Sequence, residues 1–205
     1  MTAKSSPFHK NRYFIVFCLL LSCLPLLIVE GKGSSEQEFH SPFNDSNRKS
    51  FTSIKIRLIG LYGEYRKSYK AGHLHAGVDL EGSFNETIYA IGYGQVHLIF
   101  RDFPHKSVII KHHLEGGDLL FSVYTHVEDI EVNVGDWVEV RTPLARLFNE
   151  DELKQANFGT PNHLHLEIRK SLADEGRASY SSMTKQDLNK FCIDPMEFFK
   201  ANLEK

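Results

Sequence analysis

The sequence has few cysteines, little net charge and no repetition, and each lack removes a class of explanation. Three cysteines occur in 205 residues, and Cys18 and Cys23 sit inside an apolar run near the N-terminus. Cys192 is then alone in the body of the chain, which excludes a disulfide framework and a cysteine-based zinc site there. Its apolar FCID context reads as a small buried hydrophobe. Lysine and arginine number 24 against 26 aspartates and glutamates, a formal charge of −2. Such a balance carries no electrostatic footprint for nucleic acid, so no nucleic-acid partner is expected. No low-complexity tract or internal repeat interrupts a composition of 41% hydrophobic and 24% charged residues, which is that of a globular protein. The length suits one domain plus an additional segment.

What is present begins with a targeting signal. MTAKSSPFHKNR supplies Lys4, Lys10 and Arg12, and YFIVFCLLLSCLPLLIV follows without a charge. A basic region before an apolar core is the order of a secretory signal peptide. The core is long for such a signal and short for a bilayer span, and no A-x-A cleavage site is present. Residues 1–33 are therefore expected to be either a cleaved signal peptide or a retained N-terminal membrane anchor contacting the bilayer through residues 13–29. LLSC, ending at Cys23, loosely matches a lipidation box, although the apolar run continues past it. Each of these outcomes places the protein outside the cytoplasm, in the periplasm or cell envelope. The polar, Ser- and Asn-rich residues 34–50 read as a linker, and residues 51–201 as one domain.

Strand signals dominate that domain. IKIRLIGLY alternates or runs apolar, and TIYAIGYGQVHLIF reads as two strands broken at Gly92 and Gly94. SVIIKHHL and LLFSVYTHV flank EGGD as the arms of a hairpin. VEVRTPLARLF and HLHLEIR complete the set. Helical signals cluster late. EDELKQA at 150–156 and TKQDLNKF are short candidates, and DPMEFFKANLEK offers Asp194 as N-cap, Pro195 at the first helical position and Glu197 to close a capping box. Many short strands and few helices predict a mainly β, antiparallel sheet-based α+β domain with short C-terminal helices.

Eleven histidines are many for this length. His163 and His165 lie two apart on a strand and so project from one face. Two adjacent imidazoles add little to packing; they are placed to hold a metal, or for one to hold it while the other handles protons. HLHAGVDL supplies His73, His75 and Asp79, with Gly77 breaking any helix, so His75 and Asp79 fall on a loop entering a strand near Val78. Imidazole and carboxylate suit zinc, and three protein ligands with an open fourth position mark a catalytic rather than a structural ion.

HLHAGVDL, VYTHV, VNVGDWVEVRTPLA and NHLHLEIRK, in this order, resemble the lysostaphin/LytM-type zinc metallopeptidases, which cut peptide bonds in peptidoglycan. The resemblance covers residues 54–170 and the closing IDPMEFF. It implies the fold of that family, a Zn2+ cofactor held by His75, Asp79 and His165, catalytic histidines at His126 and His163, and peptidoglycan peptide crosslinks as substrate during wall remodelling. His73 competes with His75 as a ligand; the family pattern and the spacing to Asp79 favour His75. No H-E-x-x-H glutamate is present, and this pattern requires none. NVGDWVEVRTPLA is also similar to a lipoyl-type strand–turn–strand, but the lysine such domains carry at the hairpin tip is absent. His112 and His113 are expected to be one packing and one solvated residue, His97 and His105 have no evident partner, and His9 and His40 fall outside the domain. NEDELKQANFGTPN and the excursion after Lys170 are longer than the family pattern and flank the expected cleft. Two other readings are a non-catalytic regulatory or binding module on this fold, and an envelope peptidase with a protein substrate.

Overall fold

The structure is a computed structural model that describes residues 37–67, 73–172 and 184–204. Residues Ser34–Lys205 cluster as one unit. The signal or anchor expected over residues 1–33 lies outside the described residues. Among the described residues, no helix is long and apolar enough to cross a membrane.

The chain runs through helix α1 (Phe51–Arg57) into strands β1 (Leu58–Gly60), β2 (Tyr65–Arg66), β3 (His73–Leu74), β4 (Val78–Glu81) and β5 (Thr87–Tyr89). Strands β6 (Gly94–Phe100), β7 (Ser107–His113), β8 (Leu119–Thr125), β9 (Val127–Glu128), β10 (Trp137–Val138) and β11 (Pro143–Leu147) follow. Helix α2 (Glu150–Ala156), β12 (His163–Arg169), α3 (Lys185–Phe191), β13 (Cys192–Ile193) and α4 (Pro195–Asn202) complete the order. Eight strands make one sheet, ordered β1-β4-β12-β8-β7-β6-β10 with β13 also on β12, and β5-β11-β9 make a smaller one. The named pairings in both are antiparallel, as expected.

The β7–β8 hairpin forms as read, closed by a tight turn in which Gly116 and Gly117 take φ of 83° and 89°, values that favour glycine. Helix α2 spans Glu150–Ala156, with Asn149 and Glu152 forming a reciprocal capping box. In α4, Asp194 caps the Met196 amide and Pro195 occupies the first turn, while Glu197 lies 3.6 Å from Lys200 instead of closing the box.

Two expectations are corrected here. Residues 54–57, read as the start of a strand, belong to helix α1. A strand would bury Ile54 and Ile56 on one face, yet Ile54 is fully buried and Ile56 is 81% exposed. Ser50 caps the helix through the Thr52 amide. Residues 37–50 are also no linker: Phe39 and Phe43 are buried in the main core, and Phe39 bridges Gly92. His40, expected outside the domain, is buried, with its amide bonded to the Ile91 carbonyl at 2.7 Å. Arg48 donates to the carbonyls of Ser41, Val140 and Ala90, so this polar stretch is stitched to the domain through backbone groups. Composition read the Ser and Asn content and missed two aromatic anchors four residues apart.

The main core joins Val78, Leu80, Leu164, Leu166 and Ile168 of the large sheet to Ile88 and Leu144 of the small sheet and Phe199 of α4. All seven residues of β12 are buried. Its even-numbered residues Leu164, Leu166 and Ile168 fill the core, leaving His163, His165, Glu167 and Arg169 on the opposite face, as the period of two requires. A strand buried on both faces, with one face polar, is the frame of the site.

Candidate metal centre

Strand register brings distant residues together. β12 pairs with β4 so that His165 stands opposite Asp79, and with β8 so that it stands opposite Thr125. His75 reaches in from the turn before β4. His75 Nε2 lies 2.8 Å from His165 Nδ1 and 3.0 Å from Asp79 Oδ1, and His165 Nδ1 lies 3.1 Å from that same oxygen. A tetrahedral ion with bonds of about 2.0–2.1 Å spaces its ligands about 3.3 Å apart, so these donors need only a small outward relaxation to hold one. Among the described residues these three form a buried group of metal-ligating type; His73, buried on β3, is not part of it.

The remaining ring nitrogens are committed. His75 Nδ1 lies 2.8 Å from the Leu61 carbonyl, and His165 Nε2 lies 2.8 Å from Glu167 Oε1. Protons on those nitrogens leave His75 Nε2 and His165 Nδ1 as lone-pair donors, the arrangement by which outer groups orient metal-binding imidazoles. The donor set and its outer partners therefore fit a zinc ion.

Charge in the site is uneven. Burial opposes ionisation of Asp79, but the His165 and His75 rings beside it hold its carboxyl far below the usual range. Burial likewise pushes the His165 imidazolium down, yet Asp79 and Glu167 outweigh it and raise its pKa to about 9. Glu167, fully buried, is brought to about 2 against its desolvation by Arg169 and His165. Burial lowers His75 despite Asp79 beside it.

His126 and His163 flank this group. Their ring centroids are 5.1 Å apart, and His126 lies 6.1 Å from His165. In an unbroken strand His126 would follow Tyr124 onto the core face. Instead it takes φ of 67°, which breaks the alternation and turns the ring to the histidine face. Tyr124 stays in the core, its hydroxyl accepting from the Ile91 amide at 2.9 Å. His126 Nδ1 lies 3.0 Å from the Pro104 carbonyl and His163 Nδ1 2.8 Å from the Pro161 carbonyl, so each ring keeps Nε2 as its free acceptor. Burial lowers the pKa of both, reinforced at His126 by His163 and His165 and opposed at His163 by Asp79. Phe158 covers His126 at 4.5 Å between ring centroids, with Phe148 behind it.

The other histidines divide as their surroundings dictate. His112 is fully buried between the Tyr93 carbonyl and Ser122 Oγ, each 2.8 Å away, and His113 is exposed, as expected. His97 is exposed, its ring 5.7 Å from that of Phe121. His105, for which no partner was evident, packs 5.3 Å from the His126 ring.

Two contributors escaped the sequence reading. Glu167 had a signal, since it lies two residues beyond His165 on the same strand face. Arg66 had none: its Nη2 lies 2.7 Å from Asp79 Oδ2, brought there by the β2–β3 hairpin.

Residues 73–180 match the model of Peptidase family M23. No curated protein matches the chain. Among solved structures, the antimicrobial peptidase lysostaphin from Staphylococcus simulans is similar at 19% identity with a TM-score of 0.54, covering 82% of this chain and 56% of that one. A solution structure of lysostaphin gives 19% identity and 0.51, covering 80% and 54%. The catalytic domain of the Staphylococcus simulans enzyme gives 20% identity and 0.50, with 74% of this chain and 98% of that domain covered. The chain thus spans a little over half the length of the longer lysostaphin chains, and the likeness is one of fold: mainly antiparallel sheet with few short helices. With its family model matched over more than half of its residues, the chain belongs to peptidase family M23.

Proposed function

We propose that the protein is a zinc-dependent endopeptidase that hydrolyses peptide bonds in peptidoglycan crosslinks, acting in the cell envelope during wall remodelling. The observation that carries this reading is the placement of two acceptor imidazoles, His126 and His163, beside three donor atoms spaced to hold one ion. Zinc bound by His75, Asp79 and His165 would supply a Lewis acid and lower the pKa of a bound water towards about 7.

The chain's own residues do the rest. His126 and His163 are kept neutral near pH 7 by burial, so either Nε2 can take a proton from the attacking water. Once protonated, that ring becomes a donor to the carbonyl oxygen or to the departing amine. Pro104 and Pro161 hold the two rings in one tautomer by accepting from Nδ1. Phe158 shields one face of His126 from water. The basic and apolar N-terminal sequence supports action outside the cytoplasm, where peptidoglycan is found.

The test is to incubate the zinc-loaded protein with intact peptidoglycan and analyse the released fragments, with His163→Ala as control and its zinc content measured in parallel. Loss of crosslinked dimers with the parent alone, both proteins retaining zinc, is the expected outcome. A zinc-loaded parent that leaves crosslinks intact would refute wall hydrolysis and direct the search to a protein substrate.

A further inference from the structure

We infer that Arg66 is a positioning residue that makes Asp79 a one-oxygen ligand, keeping the metal centre open for water and substrate. The inference rests on the metal-centre reading above and adds to it a division of labour between the two carboxylate oxygens. Asp79 Oδ1 is the oxygen that faces His75 Nε2 and His165 Nδ1, at 3.0 and 3.1 Å. Asp79 Oδ2 accepts from Arg66 Nη2 at 2.7 Å. A carboxylate with both oxygens available can chelate an ion and take up an extra coordination position. One whose second oxygen is held in a charge-assisted bond with a guanidinium offers a single donor.

Backbone contacts fix where Arg66 sits. The Gly63 amide donates to the His75 carbonyl, and the His75 amide donates to the Glu64 carbonyl, each at 2.8 Å. Arg66 then pairs with His73 across β2 and β3. The segment carrying the guanidinium is therefore tied by its main chain to the ligand His75. Gly60 of β1 completes the seat: a Cβ there would stand 2.5 Å from Asp79 Oδ2 and 2.8 Å from Arg66 Nη2. A residue without a side chain lets β1 pass beside the ion pair without prising it apart.

Arg66 Nη2 also lies 2.8 Å from His75 Nδ1, at the same distance as the Leu61 carbonyl. Guanidinium only donates and a carbonyl only accepts, so one ring nitrogen satisfies one of them. The tautomer that frees His75 Nε2 for a metal puts the proton on Nδ1 and assigns it to Leu61. Arg66 is left with Asp79 as its hydrogen-bond acceptor at the centre.

Cobalt substitution tests this with a readout that does not depend on turnover. The full chain, Arg66→Gln, Arg66→Lys and His165→Ala are each loaded with Co2+, and the visible absorption of the bound ion is recorded. Four-coordinate Co2+ absorbs strongly and five-coordinate Co2+ more weakly, so chelation by a released Asp79 shows as a fall in intensity. The parent is expected to give the strong spectrum. Arg66→Gln should bind one equivalent with its intensity reduced roughly twofold or more, because coordination number is set by the ligand atoms on offer. Arg66→Lys, able to donate one bond to Oδ2, should recover much of the parent's intensity and guards against a Gln variant that merely misfolds. A Gln variant carrying one Co2+ with the parent's spectrum overturns the role of Arg66, as does a Lys variant that is folded, metal-loaded and no stronger than Gln. Failure of the metal-centre reading looks different: the parent then binds no Co2+, or His165→Ala retains it.

Discussion

His112 provides a quantitative test of the core, remote from the metal centre. Its ring is fully buried, with Nδ1 on the Tyr93 carbonyl and Nε2 on Ser122 Oγ, each at 2.8 Å. Ser122 Oγ in turn lies 3.1 Å from the Tyr124 hydroxyl. Burial pushes the imidazole pKa down from its ordinary 6.5 to about 4, only partly offset by the Tyr93 carbonyl. Above pH 6.5 the ring is neutral in both folded and unfolded chains and the full stability is present. As pH falls through the window from 6.5 to 4, the unfolded chain takes the proton first, so stability declines. Linkage over that window amounts to about 2 kcal/mol between pH 7 and pH 5, and about 3 kcal/mol by pH 4. Urea unfolding of the metal-free protein at pH 7 and pH 5 measures it, and the His112 share corresponds to a midpoint shift of about 1 M. His112→Gln removes the titrating group while keeping polar atoms in place. The variant loses some stability at both pH values, but its further loss on going to pH 5 should be smaller than the parent's by about 2 kcal/mol. Equal pH-dependent losses in parent and variant would refute the assignment of a buried, neutral His112.

Two further outcomes probe other elements. Glu167→Gln removes the carboxylate behind His165 and should weaken zinc affinity about 10- to 100-fold in a chelator competition, the usual cost of losing a carboxylate behind a ligating histidine; unchanged affinity would mean that His165 is oriented by other contacts. Phe43→Ala, at a fully buried ring beneath the Arg57 guanidinium, should destabilise the domain by about 3–5 kcal/mol in urea unfolding. A change well below 1 kcal/mol would return residues 37–50 to the status of a spacer.

Much of the fold was legible because strand periodicity and turn chemistry are local. The β7–β8 hairpin, helix α2 at 150–156 and the polar face of β12 follow from spacing within a few residues. Helix α1 was misread because I-K-I-R satisfies the strand period over four residues, and only tertiary burial chose which isoleucine turned inward. The segment 37–50 was misread because its stability comes from two phenylalanines and from Arg48 bonds to distant carbonyls, none of which composition reports. Likewise, the face of His126 depends on one residue with positive φ, a backbone state that no side-chain pattern in VYTHV signals.

By itself the sequence determined the chemical vocabulary of the site. His75, Asp79, His163 and His165 are there to be read, and the two-residue period of a strand puts His163, His165 and Glu167 on one face. Only the tertiary structure decided how those groups are used. Cross-strand register places Asp79 against His165, 86 positions apart in the numbering. The β2–β3 hairpin delivers Arg66 to the second oxygen of that carboxylate, and a left-handed backbone turns His126 towards His163. Ligand type is a property of a residue and survives in the sequence. Donor spacing, tautomer and charge balance are properties of neighbours, and neighbours exist only once the sheet has formed.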